Sequence, residues 1–138
     1  MNNPETNITD EDKLQIATTF LSSLKIRNWQ LMRSILTEDA TWTLPGSSLL
    51  SGEAKGADGV IDRARNLRDF GVMVELMHIL YSMNGVAVSL HNTAGRGKLK
   101  LDEYVVIMME LRDKKIAQLT THLNDVAGIN EFFVEGII

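Results

Sequence analysis

The sequence predicts a single α+β domain in which three helices precede a strongly curved, mainly antiparallel sheet. Apolar residues recur at helical spacing near the N-terminus and again between residues 57 and 69, whereas after residue 72 the pattern is that of strands. The length of 138 residues suits one domain with enough buried surface for its own core. We expect residues 10–138 to form this domain and residues 1–9 to be a flexible leader.

Periodicity and capping residues define the three helices. The first is expected over residues 10–25, where Thr9 and Asp12 have the spacing of a capping box. The second is short and follows Asn28, a residue that caps helices well. The third is expected over residues 57–69, with its apolar side chains on one face.

Strands are expected at residues 40–44 and then in four long segments after residue 72. Ala40, Trp42 and Leu44 alternate with threonines, which is typical of a strand, and residues 45–56 are predicted to form a loop. The later segments are separated by the turn signals Asn84-Gly85, Gly95-Arg96-Gly97 and Asp113-Lys114. Strands of this length require a twisted, curved sheet with bulges, so we predict an antiparallel meander of that shape.

The composition excludes several classes of function. The chain has no cysteine, which rules out disulfides, thiolate metal sites, iron–sulfur clusters and cysteine nucleophiles. Its 14 basic and 18 acidic residues give a net charge of −4 without the basic cluster that nucleic acids or anionic membranes require. We expect no membrane span, and a cytoplasmic location because the N-terminal segment lacks a signal-peptide pattern.

No motif for a metal or a cofactor is present. The histidines His78, His91 and His122 do not have the spacing of metal ligands. The glycine-rich segments match neither a phosphate-binding loop nor a nucleophile elbow. We therefore expect no metal and no cofactor.

Four segments carry a resemblance to a known family. They are Asn28-Trp29-Gln30-Leu31-Met32, the strand ATWTLPG, the loop from Leu50 to Gly56, and KIAQLTTHLND near the C-terminus. Together they resemble the nuclear transport factor 2-like (NTF2-like) superfamily and, within it, the SnoaL-like branch of polyketide cyclase-like and ketosteroid isomerase-like proteins. The resemblance implies a cone-shaped α+β barrel around a deep apolar cavity, a small hydrophobic organic molecule as ligand, and a homodimer.

The last strand and the corner after it contain the candidate acid and base. His122 shares even spacing with Ile116, and Asp125 follows at the corner, either as a pocket acid or as the N-cap of a closing helix. A desolvated carboxylate and a neutral imidazole can each move a proton near neutral pH. We predict His122 and Asp125 as catalytic residues for an isomerisation or a cyclisation. The resemblance leaves open whether Asn124 or Asp125 occupies the family's acid position.

Three further side chains are candidate ligand contacts. The Trp42 Nε1–H and the Tyr104 O–H can donate hydrogen bonds to a developing enolate, and His78 shares strand parity with Leu76 and Leu80. Each of the three also has a structural explanation as a core or interface residue. The alternative function is a non-catalytic binding or dimerisation module whose cavity is filled by its own side chains.

The epoxide-hydrolase branch of the same superfamily uses an Asp-Arg-Asp arrangement. Asp102, Arg112 and Asp125 supply these residue types. Their strand parities and positions do not place them together, so we do not expect that arrangement here.

Overall fold

The computed structural model describes residues 8–135, and its elements follow the predicted order. They are α1 (Asp10–Ile26), α2 (Trp29–Ser34), β1 (Leu36–Leu44), β2 (Gly52–Lys55), α3 (Gly56–Asp69), β3 (Met73–Tyr81), β4 (Gly85–Arg96), β5 (Leu99–Arg112), β6 (Lys115–Leu123) and α4 (Val126–Phe132). The predicted α+β architecture is confirmed. None of the helices within residues 8–135 has the length and apolarity needed to cross a lipid bilayer.

All the strands belong to one curved sheet in the order β2-β1-β6-β5-β4-β3. β1 runs parallel to β6, and the other neighbouring strands are antiparallel. The register shifts in the β1–β6, β3–β4 and β5–β6 pairs, which are the irregularities expected of long, bent strands. The main apolar core lies where α1 and α3 pack on the concave face of this sheet.

The local signals at the first two helices act as predicted. The Asp12 N–H donates to Thr9 Oγ1 at 3.0 Å, and the Thr9 N–H donates to Asp12 Oδ2 at 3.2 Å. The Asn28 side chain accepts a hydrogen bond from the Leu31 N–H at 3.1 Å. Of the predicted leader, residues 1–7 lie outside the described residues, whereas Ile8 packs against the core and Thr9 is the N-cap of α1.

Two strand boundaries differ from the prediction. β1 begins at Leu36 rather than Ala40, because Glu38 and Asp39 form part of the strand with their side chains exposed to solvent. The predicted loop over residues 45–56 contains β2, which pairs with β1 at the edge of the sheet. β2 is short and largely exposed, so it lacks the alternating apolar pattern that predicts a strand.

A second, smaller apolar cluster closes one end of the cone. It joins α4 to the strand ends and consists of Leu44, Leu50, Val72, Leu101, Ile129, Phe132 and Phe133. The Arg96 guanidinium lies 4.1 Å from the centroid of the Phe70 ring and donates to the Phe132 and Val134 carbonyls. These contacts hold α4 against the sheet.

Candidate functional site

A cavity of about 40 Å³ lies between the concave face of the sheet, α3 and α4. Most of its wall is apolar and comes from Leu44, Leu67, Val72, Leu101, Val105, Ile107, Leu123, Ile129 and Phe133. Polar atoms enter the wall from Trp42, Arg63, Asn92, Glu103 and Thr121. An apolar wall with a few convergent polar groups is the usual lining of a small-molecule site, and this cavity is smaller than the roughly 300 Å³ at which such sites usually begin.

Glu103 is a buried acid on this wall. Its side chain lies on β5 and only 2% of the residue is exposed. Its Oε1 atom has no hydrogen-bond partner among residues 8–135, and neither has Oδ1 of Asn92, the residue opposite it on β4. Burial raises the pKa of Glu103 to about 7; the Asp125 carboxylate adds to the rise, and a hydrogen bond from the Asp125 backbone opposes it. The cavity therefore contains a carboxyl group that changes its protonation state near neutral pH.

A glycine in α4 lets the helix approach this acid closely. A Cβ atom on Gly128 would lie 2.4 Å from Glu103 Oε2 and 2.8 Å from Asp125 Oδ2. The Gly128 N–H donates to Asp125 Oδ1 at 3.0 Å, so the Asp125 side chain is the N-cap of α4. The start of α4 thus brings the Asp125 carboxylate near Glu103.

Arg63 contributes a buried cation to the same cavity. It lies on α3, is 8% exposed, and donates a hydrogen bond to the Trp42 carbonyl oxygen. Its guanidinium carbon is 5.8 Å from the centroid of the Trp42 ring. Burial lowers the pKa of Arg63, but a guanidinium stays charged in proteins because its pKa is so high.

Trp42 and Thr121 form a buried hydrogen-bonded pair on the wall. The Trp42 Nε1–H donates to Thr121 Oγ1 at 2.7 Å, so it is already used and is not a free donor for a ligand. The Thr121 hydroxyl accepts this bond and keeps its own proton to donate. The Trp42 ring packs edge-on against Phe20, with the ring centroids 5.7 Å apart.

The predicted acid–base pair lies outside this cavity. His122 is exposed and lines an open groove beside β1 and β6. The physical reason is a register shift in the β5–β6 pair just after Ile116. Beyond the shift the buried positions are Leu119 and Thr121, so His122 does not lie on the same face as Ile116 despite the even spacing. Asp125 is exposed and caps α4, and it acts on the cavity only through its effect on Glu103. The Asn124 side chain accepts a hydrogen bond from the Tyr104 N–H at 2.8 Å.

Two of the predicted ligand contacts also lie away from the cavity. His78 is exposed on β3, next to a register shift that breaks its parity with Leu76. Tyr104 is 55% exposed and stacks on His91, with a distance of 4.7 Å between the ring centroids. Trp42 alone of the five predicted site residues lines the cavity within residues 8–135.

Asp102, Arg112 and Asp125 do not form an Asp-Arg-Asp arrangement. Asp102 pairs with His91 at 2.6 Å, and Arg112 pairs with Asp39. Asp125 caps α4. The three side chains are therefore engaged separately, as their strand positions predict. Within residues 8–135 no group of three or more acidic or histidine side chains is arranged to hold a metal ion.

Sequence reasoning missed the polar residues that do line the cavity. The signal for Glu103 is its position between Leu101 and Val105, which are buried on the same face of β5. Thr121 similarly lies between Leu119 and Leu123 on β6. An ionisable or polar residue inside an apolar alternation is a candidate pocket group, and that criterion finds both of them.

Comparisons with known proteins identify the fold. No family model matches the chain, and no curated protein matches it. Bal32a from a soil-derived mobile gene cassette is 24% identical, with a TM-score of 0.84 over 90% of this chain and 98% of that one. An NTF2-like protein from Burkholderia xenovorans LB400 is 15% identical, with a TM-score of 0.78 over 90% of this chain and 97% of that one. An LEH-like epoxide hydrolase from M. tuberculosis is 16% identical, with a TM-score of 0.68 over 91% and 92% of the two chains. The chain therefore has the NTF2-like fold, the cone-shaped α+β architecture that the sequence predicts.

Proposed function

We propose that this protein binds a small organic molecule in the cone cavity and transfers a proton on it with the Glu103 carboxyl group. The observation that carries the proposal is the Glu103 Oε1 atom, which is buried on the cavity wall without a hydrogen-bond partner among residues 8–135. Burial raises the pKa of Glu103 to about 7, a value at which a carboxyl group can both accept and return a proton at neutral pH.

Two other groups suit the charge that develops in such a reaction. Removal of a proton next to a carbonyl leaves negative charge on the carbonyl oxygen, and donors aimed at that oxygen lower the barrier. The Thr121 hydroxyl retains a donor proton, and its hydrogen bond from Trp42 polarises it. The Arg63 guanidinium supplies positive charge on the same wall. We assign the stabilisation of the oxyanion to Thr121 and Arg63.

This assignment changes the roles of the residues that the sequence suggested. Asp125 is a positioning residue, because its backbone and its carboxylate act on Glu103 rather than on the ligand. Trp42 acts through Thr121. Catalysis by His122 and ligand contacts by His78 and Tyr104 stay predictions, and the exposed positions of these three side chains do not support them.

Proton abstraction can be tested without the natural substrate. We suggest following deuterium exchange at the carbon next to the carbonyl by NMR, with butanone, 2-oxobutyrate and 2-oxobutyramide as probes. We expect catalysed exchange with at least one probe, and a loss of about 100-fold or more in Glu103→Gln. Glu110→Gln is the matched control, since Glu110 is an exposed acid on the same strand. Exchange that survives in Glu103→Gln would contradict the role of Glu103.

The alternative is a binding module without catalysis. The observation that favours it is the small, mostly apolar cavity of about 40 Å³. In that case the probes bind and shift the melting temperature, but the protein catalyses no exchange. The exchange experiment therefore separates the two functions.

We also propose that the partner of this chain is a second copy of itself, as the family resemblance implies. The convex face of the sheet presents large apolar side chains to solvent: Leu80 is 51% exposed, Tyr104 55% and Met108 47%. Contiguous exposed apolar surface is typical of an interaction site, and a twofold symmetric pair buries the same patch on both copies.

A further inference from the structure

We infer that the ligand of the cone cavity is a small organic acid whose carboxylate pairs with Arg63. This inference rests on the proposed function and specifies the chemical class of its substrate. It depends on three properties of the cavity wall: an unpaired buried cation, two acceptor atoms without donors, and an otherwise apolar surface.

Arg63 differs in its partners from four other arginines, and it is more deeply buried than Arg68, which also donates to backbone carbonyl oxygens. Arg27, Arg33, Arg65 and Arg112 each pair with a carboxylate and are substantially exposed. Arg63 is 8% exposed, yet none of the ion pairs among residues 8–135 includes it. The least exposed of these five arginines is thus the one without an anion.

An unpaired buried cation is energetically unfavourable, because it loses its hydration without gaining a counterion. The hydrogen bond to the Trp42 carbonyl uses one of the five N–H donors of the guanidinium. The side chain lines the cavity, so an anion inside it can reach the remaining donors. A guanidinium fork matches a carboxylate with two parallel hydrogen bonds, which makes a carboxylate the best-fitting anion.

The acceptors on the wall specify a second feature of the ligand. Glu103 Oε1 and Asn92 Oδ1 are buried without partners, and their residues are directly opposite each other on β5 and β4. A buried acceptor without a donor costs free energy, and a ligand that brings an O–H or N–H group removes that cost. With the small volume of the cavity, these features describe a compact hydroxy acid or an enolisable oxo acid.

Matched probes that differ only in having a carboxylate or an amide test the inference. We suggest isothermal titration calorimetry with 2-hydroxybutyrate and its neutral amide, 2-hydroxybutyramide, on wild type, Arg63→Met and the control Arg65→Met. We expect the acid to bind wild type and Arg65→Met at least about tenfold more tightly than the amide does, and Arg63→Met to lose this preference. Equal affinities for acid and amide, no binding of the acid, or an unchanged preference in Arg63→Met would overturn the inference.

Two further variants keep the result unambiguous. If circular dichroism shows that Arg63→Met does not fold, Arg63→Lys replaces it. We expect Arg63→Lys to bind the acid about tenfold more weakly, because an ammonium group cannot form the two parallel hydrogen bonds of a guanidinium. Unchanged affinity would count against the inference. Glu103→Gln should keep the preference for the acid while losing deuterium exchange. Acid-selective binding without Glu103-dependent exchange would contradict the proposed function alone, and exchange without acid selectivity would contradict this inference alone.

Discussion

At the scale of single residues, the proposed proton transfer depends on where one carboxyl group is placed. Glu103 lies on the concave face of the sheet between apolar neighbours, so its charged form is desolvated. The same side chain one position further along β5 would face outward, as the exposed Tyr104 does. The environment, rather than the residue type, makes this glutamate a candidate acid and base.

Glu103 should make the stability of the protein depend on pH. Its pKa is raised from 4.5 to about 7 in the folded state, so the folded chain holds a proton that the unfolded chain has lost between these values. The free energy of unfolding should therefore fall by roughly 3 kcal/mol as the pH rises from 4.5 to 7, and level off above 7.

Glu103→Gln removes this dependence. We expect it to be more stable than wild type at pH 8 and similar at pH 4.5, measured by urea denaturation at both values. Glu110→Gln, at an exposed position on β5, should follow wild type. The same fall in Glu103→Gln as in wild type would show that other groups cause it.

His91, on the convex face, is a second group that should make the stability of the protein depend on pH. Hydrogen bonding and attraction to Asp102 raise the pKa of His91 above 6.5, and Glu75 contributes further. The stabilisation is complete below pH 6.5 and is lost as the pH rises through the folded-state pKa. In an NMR titration, Asp102→Asn should move the pKa of His91 down toward its ordinary value; an unchanged pKa would contradict the pairing.

The sequence predicts the orientation of a site residue correctly where no register shift separates it from the neighbours that define its face. Trp42 shares its face with Leu44; both residues come after the shift in the β1–β6 pair, in a stretch that pairs regularly with β2, and Trp42 lines the cavity. His122 and His78 each follow a register shift, which turns the side chain to the opposite face from the one that simple alternation predicts. A single sequence does not show where a bulge occurs, so these orientations could not be derived from it.

At the scale of secondary-structure elements, α4 connects the end of β6 to the cavity. Its N-cap, Asp125, has two separable effects: the side chain caps the helix, and its charge raises the pKa of Glu103. Asparagine caps helices as well as aspartate does but carries no charge. Substitutions at this position therefore distinguish capping from electrostatics.

We expect Asp125→Asn to keep the stability of the protein and lower the pKa of Glu103. Asp125→Ala should also lower the pKa but destabilise the fold by about 1 kcal/mol, because the cap is lost. Urea denaturation at pH 5 measures the first effect and a carboxyl NMR titration the second. A pKa that is the same in wild type and Asp125→Asn would show that the Asp125 charge does not reach Glu103.

The helices were easier to predict than the edge of the sheet. Their caps, Thr9, Asn28 and Asp125, act locally and can be recognised in the sequence. β2 depends on pairing with β1 and buries little apolar surface, so nothing in residues 52–55 alone indicates a strand.

At the scale of the whole molecule, the concave and convex faces of the sheet differ in what they contact. The concave face and the helices form the core and the cavity. The convex face keeps Tyr104 and Met108 exposed and includes the stacked pair of Tyr104 and His91. The family resemblance anticipated this overall shape, whereas the cytoplasmic location and the homodimer stay predictions.

A charge on the convex face should separate the proposed dimer. Met108 is 47% exposed, so a glutamate at this position should change the stability of the monomer little. In the dimer it would place two like charges near each other or bury them in an apolar interface. We expect Met108→Glu to sediment as a monomer in analytical ultracentrifugation while wild type sediments as a dimer. Lys115→Glu, at an exposed position at the start of β6, is the control. A monomeric wild type would refute the dimer.

The proposed function requires Glu103 to be a buried acid that exchanges its proton near neutral pH inside the cavity. Its most direct test is an NMR titration of the side-chain carboxyl carbons in ¹³C-labelled protein, with Glu103→Gln assigning the resonance. We expect a midpoint for Glu103 at about pH 7, because burial destabilises its charged form. A midpoint near the ordinary value of 4.5 would contradict it.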